Sequence, residues 1–138
     1  MNKELTKKIG DKAFTQFVAS CVMNNWIVLT PVGDCDRYDC VLDRGNGLER
    51  VQVKTGRFIK GSIVIPTSSS SYVIDSGRRV KSFRRSYKGQ VDLFGAYCFE
   101  TKRCYIVKAT EVGNHGVSLR VSPTRLKKNI RWAKDYTI

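Results

Sequence analysis

The chain has 138 residues, enough for one domain with a substantial core and too few for two. Lysine and arginine number 25 against 12 acidic residues, which gives a net charge of +13 and a pI near 9.8. This excess favours a polyanionic partner, nucleic acid rather than a membrane surface. No apolar run reaches the roughly 20 residues of a membrane span, and no signal-peptide core is present, so a cytoplasmic, nucleoid-associated protein is expected.

The five cysteines argue against two structural frameworks. Their number is odd and no C-x-x-C pair occurs, which disfavours both a disulfide scaffold and a zinc ribbon. We expect free thiols, with Cys21 and Cys40 acting as small hydrophobic residues on apolar faces.

The charges are unevenly distributed along the chain. Five of the 12 acids fall within residues 34–49, whereas residues 77–88 carry six cations and no acid. An acidic cluster in a basic protein that binds a polyanion requires a cation between the two.

Residues 3–25 are predicted to form a helix. Apolar residues recur there at three- and four-residue steps, and Asn24-Asn25 ends the pattern. Asp11 lies on the apolar stripe, so its carboxylate should point toward the sheet and needs a partner. It is either a metal ligand or a first-turn acid stabilised by the helix dipole, and its position does not distinguish the two.

Residues 26–30 fit a buried strand, and a β-hairpin follows. Its predicted arms are residues 38–42 and 48–53, joined by a loop at 44–47 that is rich in turn formers. In this register Asp39 faces Gln52, and Lys54 lies two residues further on the same face. Glu49 shares the opposite face with Val51 and Val53 and should point away from Gln52 and Lys54.

The convergence of Asp39, Gln52 and Lys54 is suited to metal-assisted phosphate chemistry. Carboxylate and amide oxygens bind a hard divalent cation, while a lysine can hold or activate an attacking water. The alternative is an ordinary hairpin whose polar residues face solvent.

A basic crossover insertion is predicted at about residues 57–90. A short strand is predicted at 62–65, and the hydroxyl run at 67–71 is predicted to be a loop or a mobile crossover. Phe83 and Tyr87 interleave with cations in 77–88, a pattern typical of a surface that contacts a phosphate backbone, with a solvated helix face as the alternative. The candidate DNA-binding residues are Arg57, Lys60, Arg78, Arg79, Lys81, Arg84, Arg85 and Lys88.

The remaining chain predicts a second hairpin and a basic tail. The apolar arms at 93–99 and 104–108 fit core strands, Asp92 is interpreted as a structural hydrogen-bonding residue, and 117–121 is a possible edge strand. Residues 125–134 have Leu126, Ile130 and Ala133 at helical spacing. Trp132 and Tyr136 in this tail could serve assembly or DNA contact.

Several stretches together resemble the PD-(D/E)XK nuclease superfamily, and within it the bacterial homing endonucleases encoded in group I introns. They are IGD at 9–11, PVGD at 31–34, YD at 38–39, VQVKT at 51–55, VDLF at 91–94, AY at 96–97, CYIV at 104–107 and IRWAKDY at 130–136. Together they span most of the chain.

The resemblance implies an α/β fold with a restriction-endonuclease-like core, a mixed central sheet flanked by helices, as one domain over 1–138. It implies hydrolysis of DNA, with Mg²⁺, or Mn²⁺ in its place, held by Asp39, Gln52, the Val53 carbonyl and Asp11, and Lys54 orienting water. Gln52 departs from the usual Asp or Glu, which removes a negative charge, and Asp11 is one methylene shorter than the usual Glu. A single histidine, His115, excludes an HNH site.

Three functions remain open at this point. The first is a site-specific, metal-dependent endonuclease for double-stranded DNA, of the homing or mobile-element type. Cutting both strands requires two active sites, so a homodimer or homotetramer is expected. The second is a structure-selective nuclease such as a Holliday junction resolvase. The third is a DNA-binding protein whose nuclease site has decayed, which Gln52 suggests and the retained Asp39 and Lys54 argue against.

Overall fold

The computed structural model describes residues 2–33, 37–126 and 128–138, and at 70–74 and 79–85 it describes the backbone without the side chains. Asp34 and Asp36 of the predicted acidic cluster, together with Cys35, therefore lie outside the described residues, as does Lys127 of the basic tail. Within the described part of the chain, no helix is long and apolar enough to cross a membrane.

One long helix, α1 (Lys3–Met23), begins the structure. The Asn2 side chain caps its first turn by accepting a backbone hydrogen bond of 2.9 Å. The chain leaves the helix at Asn25, whose φ of 63° lies in the left-handed region. The buried residues of the helix are Ala13, Phe17 and Cys21. The predicted helix over 3–25 is confirmed.

Nine strands are present in the described residues. They are β1 (Ile27–Leu29), β2 (Cys40–Asp43), β3 (Leu48–Ile59), β4 (Ser62–Ile65), β5 (Ser68–Asp75), β6 (Arg78–Ser86), β7 (Leu93–Cys98), β8 (Arg103–Lys108) and β9 (Val117–Arg120). Seven of them form one mixed sheet, which we call the main sheet, and β5 pairs with β6 in a separate two-stranded sheet, which we call the ribbon.

Strand β3 connects the parts of the main sheet. It pairs with β2 in antiparallel fashion, with β7 in parallel over Val51 to Gly56, and with β4 near its end. Strand β8 pairs with β7 in antiparallel fashion, and β9 pairs with β4 in the same way. A mixed sheet of this kind confirms the predicted fold class, although in the described residues one α-helix, rather than several, flanks it.

The central strands of the main sheet are covered on both faces, whereas β1, which was predicted to be buried, leaves Ile27 and Leu29 exposed at the sheet edge. On the α1 side, Phe17 packs among Leu42, Val51 and Leu93. The approach is so close that a Cβ on Gly95 would lie 2.4 Å from the Phe17 ring, which explains why a glycine occupies this strand. On the other side, a second cluster contains Ile63, Ile65, Ala96, Tyr105, Val107 and Leu119. Burial on both faces fixes the strands that carry the candidate site.

The first hairpin has the register that its sequence predicts. Asp43 pairs with Leu48 and Val41 with Arg50, so the loop is residues 44–47. A hydrogen bond of 2.9 Å from the Gly45 amide to Asp43 Oδ1 closes the turn. The predicted strands at 62–65 and 117–121, and the hairpin of β7 and β8, are confirmed as well.

The ribbon differs from the prediction for its region. Residues 68–71 of the hydroxyl run belong to β5 and not to a loop, because Ser68 to Ser71 pair with Phe83 to Ser86 in an antiparallel ladder. The same pairing makes residues 78–86 a strand, so the alternative of a solvated helix face is wrong. Backbone hydrogen bonds to a partner strand override the weak strand preference of a serine run.

The helical spacing of apolar residues in the tail does not produce a long helix. Residues 133–135 form a single 3-10 turn, and Asn129 at φ 58° interrupts any longer helix. The tail instead lies along the open edge of β8, where the Ile106 amide donates to the Tyr136 carbonyl at 2.9 Å and the Ile138 amide donates to the Cys104 carbonyl at 3.1 Å. Satisfying an exposed strand edge outweighs helical spacing here.

Four cysteines within the described residues are free thiols, as predicted: Cys21, Cys40, Cys98 and Cys104. All are buried, and burial raises the pKa of Cys21 and of Cys40 to about 12 and that of Cys104 to about 11. Cys21, Cys40 and Cys104 therefore act as small core residues and not as nucleophiles.

Candidate active site

Asp39 is the last residue before β2, and backbone pairing holds it in place. Its amide donates to the Val51 carbonyl at 2.8 Å, and its Oδ2 accepts a hydrogen bond of 2.8 Å from the Val53 amide. The hairpin register therefore extends to Asp39 opposite Gln52, as predicted. Among the described contacts Oδ1 accepts no hydrogen bond, which leaves it for a ligand.

Burial dominates the electrostatics of Asp39. Desolvation raises its pKa above the ordinary value, and the Val53 hydrogen bond and the Lys54 charge offset this only in part. A half-buried carboxylate of this kind gains from a cation placed against it, because the cation favours the charged form.

A cavity of about 460 Å³ brings four of the predicted residues together: Asp11, Asp39, Gln52 and Val53 line it. Asp11 reaches it from α1, and the hairpin contributes the other three. Asp11 lies in the third turn of the helix, so its interpretation as a first-turn acid is wrong. Its side chain is exposed, facing this opening rather than the apolar core.

Lys54 lies beside this cavity and not in its lining. Its Nζ donates to the Tyr87 hydroxyl at 3.0 Å and lies 4.8 Å from the centroid of the Tyr87 ring. Lys54 remains close enough to Asp39 to lower that carboxyl's pKa. The predicted convergence therefore holds for Asp39 and Gln52, whereas the Lys54 ammonium is directed to Tyr87.

Two acids near the hairpin serve other purposes. Glu49 forms paired contacts of 2.8 and 2.9 Å with the Arg44 guanidinium, on the face away from Gln52, as strand alternation predicts. Asp92 accepts from the Arg50 amide at 2.8 Å and from its guanidinium, and these hydrogen bonds lower the pKa of Asp92. The structural role predicted for Asp92 is thus supported by its contacts.

The donor set fits a hard divalent cation. Asp39 and Asp11 offer carboxylate oxygens and Gln52 an amide oxygen, which are ligands that Mg²⁺ accepts in company with water. Within the described residues, no group of three histidines, cysteines, aspartates or glutamates gathers anywhere, so a dedicated all-protein cage of such residues is absent. A site of low protein charge completed by water and substrate phosphate is what these residues could form.

The candidate DNA-binding residues fall into two groups. Arg57 and Lys60 are exposed where β3 ends, and the others belong to β6 or its flanks. Arg78 and Lys88 are exposed at its two ends, while Arg79, Lys81, Arg84 and Arg85 lie in the part described by backbone only. Contact with DNA stays a prediction for all eight.

The sequence analysis did not predict the contacts of Tyr87 with Lys54 and with Arg37. The pattern of cations and rings predicts Tyr87 on a DNA-facing surface, but Tyr87 is 6% exposed and contacts Lys54. Arg37 stacks on the same ring at 3.9 Å. Nothing in the local pattern indicates either contact, because they join segments that are distant in sequence.

Two comparisons with known proteins find relatives of this chain. A family model described as PD-(D/E)XK endonuclease matches residues 4–138. No curated protein matches. Among solved structures, the chain is similar to the bacterial homing endonuclease I-Ssp6803I, with 26% identity, a TM-score of 0.74, and coverage of 96% of this chain and 88% of that chain.

Proposed function

Because the chain belongs to the PD-(D/E)XK endonuclease family, we propose that it is a Mg²⁺-dependent enzyme that cleaves double-stranded DNA at specific sites, as homing endonucleases do. One observation carries the proposal: Asp11, Asp39, Gln52 and Val53 line a single cavity, and the charge of Lys54 acts on Asp39. A metal-dependent nuclease needs oxygen ligands for its metal ion and a positively charged side chain that orients the attacking water, and these residues offer both.

Each residue of the site has a distinct role in this proposal. Asp39, Gln52, the Val53 carbonyl and Asp11 hold the cation, which when bound offsets the charge that builds on the scissile phosphate. Lys54 orients the attacking water through its remaining N–H donors. Because Asp39 must be ionised to bind a cation and its pKa is raised, cation affinity should fall on acidification sooner than at an ordinary aspartate.

The net charge of the protein and the cations of the ribbon support DNA as the substrate. A net charge of +13 attracts the DNA backbone, and β6 carries five of the eight candidate contact residues. Cleavage of both strands needs two sites, so the proposal includes assembly as a homodimer or homotetramer. A cytoplasmic enzyme that meets chromosomal DNA is consistent with it.

The test is a cleavage assay with and without Mg²⁺. The protein is incubated with supercoiled plasmid and with genomic DNA, and the ends are sequenced; recurrent ends that require the cation are expected. A synthetic four-way junction serves as the competing substrate, and preference for it at any sequence would contradict site-specific cleavage.

Two variants test the site itself. Asp39→Ala and Lys54→Ala should each reduce cleavage by at least about 10²-fold while DNA affinity stays within about twofold. Asp135→Ala and Lys108→Ala, which change exposed residues of the same types elsewhere, are the controls. Nicking at the wild-type rate by either site variant would remove the proposal.

A further inference from the structure

Tyr87 joins the proposed catalytic lysine to the base of the ribbon. It follows directly after β6, yet it is buried, with 6% of its surface exposed. Its hydroxyl accepts the 3.0 Å hydrogen bond from Lys54 Nζ, and the ammonium also lies 4.8 Å from the ring centroid. A lysine side chain has several rotatable bonds, so an anchored acceptor restricts where its ammonium can lie.

The Tyr87 ring is itself held from two sides. Phe94 of β7 meets it edge-on, with centroids 5.7 Å apart, and Val91 belongs to the same buried cluster. The Arg37 guanidinium covers the ring at 3.9 Å. A ring packed in this way presents its hydroxyl at a fixed point.

Arg37 in turn fastens the ring to the ribbon. Its Nε donates to Gln90 at 2.8 Å, one terminal nitrogen to the Ser86 carbonyl at 3.0 Å, and the other to Ser69 Oγ at 3.2 Å. Ser69 and Ser86 belong to β5 and β6, and Arg37 precedes Asp39 by two residues. The guanidinium therefore connects both ribbon strands to the segment that carries the proposed metal ligand.

We propose that Tyr87 is a positioning residue for Lys54, and that Arg37 fixes Tyr87 to the ribbon. The inference rests on the proposed function for the catalytic role of Lys54, although the contact itself does not. With one N–H directed to Tyr87, the ammonium keeps two donors for water and phosphate. Small misplacement of a catalytic group costs rate without costing affinity.

The first test is Tyr87→Phe, which removes the hydroxyl and keeps the ring. Single-turnover cleavage should slow by about tenfold or more, while the Kd for the same DNA stays within about twofold. The matched control is Tyr105→Phe, since Tyr105 is also buried and its hydroxyl bonds Thr101 at 2.9 Å, away from the site. Equal rates for wild type and Tyr87→Phe would overturn the proposal.

The second test does not depend on cleavage. Side-chain ¹⁵N NMR of the free protein should show a protected Lys54 ammonium signal, identified by its loss in Lys54→Met. The signal should disappear into rapid solvent exchange in Tyr87→Phe and persist in Tyr105→Phe. An unchanged signal in Tyr87→Phe would overturn the positioning role, whereas a wild type that cleaves no DNA would refute only the proposed function.

Arg37→Lys tests the contacts of Arg37 with the Tyr87 ring and with the ribbon. A lysine keeps the positive charge but cannot make three directed hydrogen bonds, so the ring should loosen. We expect about a threefold to fivefold loss of single-turnover rate, smaller than in Tyr87→Phe, because the hydroxyl is retained. A loss confined to DNA affinity would show that Arg37 does not act through Tyr87.

Discussion

The main sheet and the ribbon are built on different principles. The main sheet combines hairpins with two pairings between segments distant in sequence, β3 with β7 and β4 with β9, and it packs against α1 and against a second cluster. The ribbon strands pair with each other, and the described ribbon side chains reach the rest of the protein near its base, at Ser69 and Ser86. The acid, amide and amine of the site thus lie on or directly beside the main sheet, and most of the candidate DNA-binding residues lie in the ribbon.

Because of this difference, we expect that separate mutations can change the rate of DNA cleavage and the affinity for DNA. Catalytic geometry needs groups that burial and backbone pairing hold in place. Phosphate binding needs only positive charge within reach. Arg37 and Tyr87 lie where the two parts meet.

Replacing residues 70–84 by Asn-Gly gives the sharpest separation. This two-residue turn would join Ser69 to Arg85, which already pair. Removal of four cations should weaken DNA binding by about 10²-fold or more near physiological salt, measured by fluorescence anisotropy. The thermal unfolding midpoint should change little. Failure to fold would show that the ribbon belongs to the same cooperative unit as the main sheet.

Gly95→Ala should lower the stability of the main sheet and leave the charge of the protein unchanged. The new Cβ would lie 2.4 Å from the Phe17 ring, so α1 must shift away from β7. Overpacking of this kind costs about 1–3 kcal/mol in the free energy of unfolding, measured by urea denaturation. Gly10→Ala is the control, because nothing lies within 4 Å of its Cβ and alanine favours a helix. Equal stabilities of the two variants would contradict the packing described.

Arg84→Ala and Arg85→Ala test the ribbon more finely. Each should lower the slope of log Kd against log salt by about one for every phosphate that the arginine neutralises, with about a tenfold decrease in affinity for the double variant. Arg103→Ala, an exposed position on β8, is the control. An unchanged slope would show that this segment faces away from DNA.

The smallest expected effect concerns the pH dependence of stability at Asp39. Its pKa is raised above the ordinary 3.8, so its stabilising contribution is full below that value and is lost as pH rises through the folded-state pKa. In chelator-containing buffer, Asp39→Asn should therefore be slightly more stable than wild type at neutral pH. The difference should shrink on acidification toward about pH 4. Asp75→Asn, at an exposed position in the ribbon, is the control.

Local patterns in the sequence determined the first hairpin and much of the site. Turn formers at 44–47 and the two-residue period of the arms are sufficient to place Asp39 opposite Gln52 and to turn Glu49 away. The helix over 3–23 follows equally from its apolar spacing and its asparagines. In these cases the deciding interactions lie within a few residues of one another.

Tertiary structure alone decided the ribbon, the tail and the surroundings of Lys54. The serine run forms a strand because a partner strand completes its backbone hydrogen bonds. The end of the tail forms backbone hydrogen bonds with the open edge of β8 and does not form a helix. Tyr87 contacts Lys54, 33 residues away in sequence, because the pairing of β3 with β7 and the return of β6 bring them together. Such contacts depend on which distant segments meet, and that choice is made by the burial and backbone pairing of the whole chain.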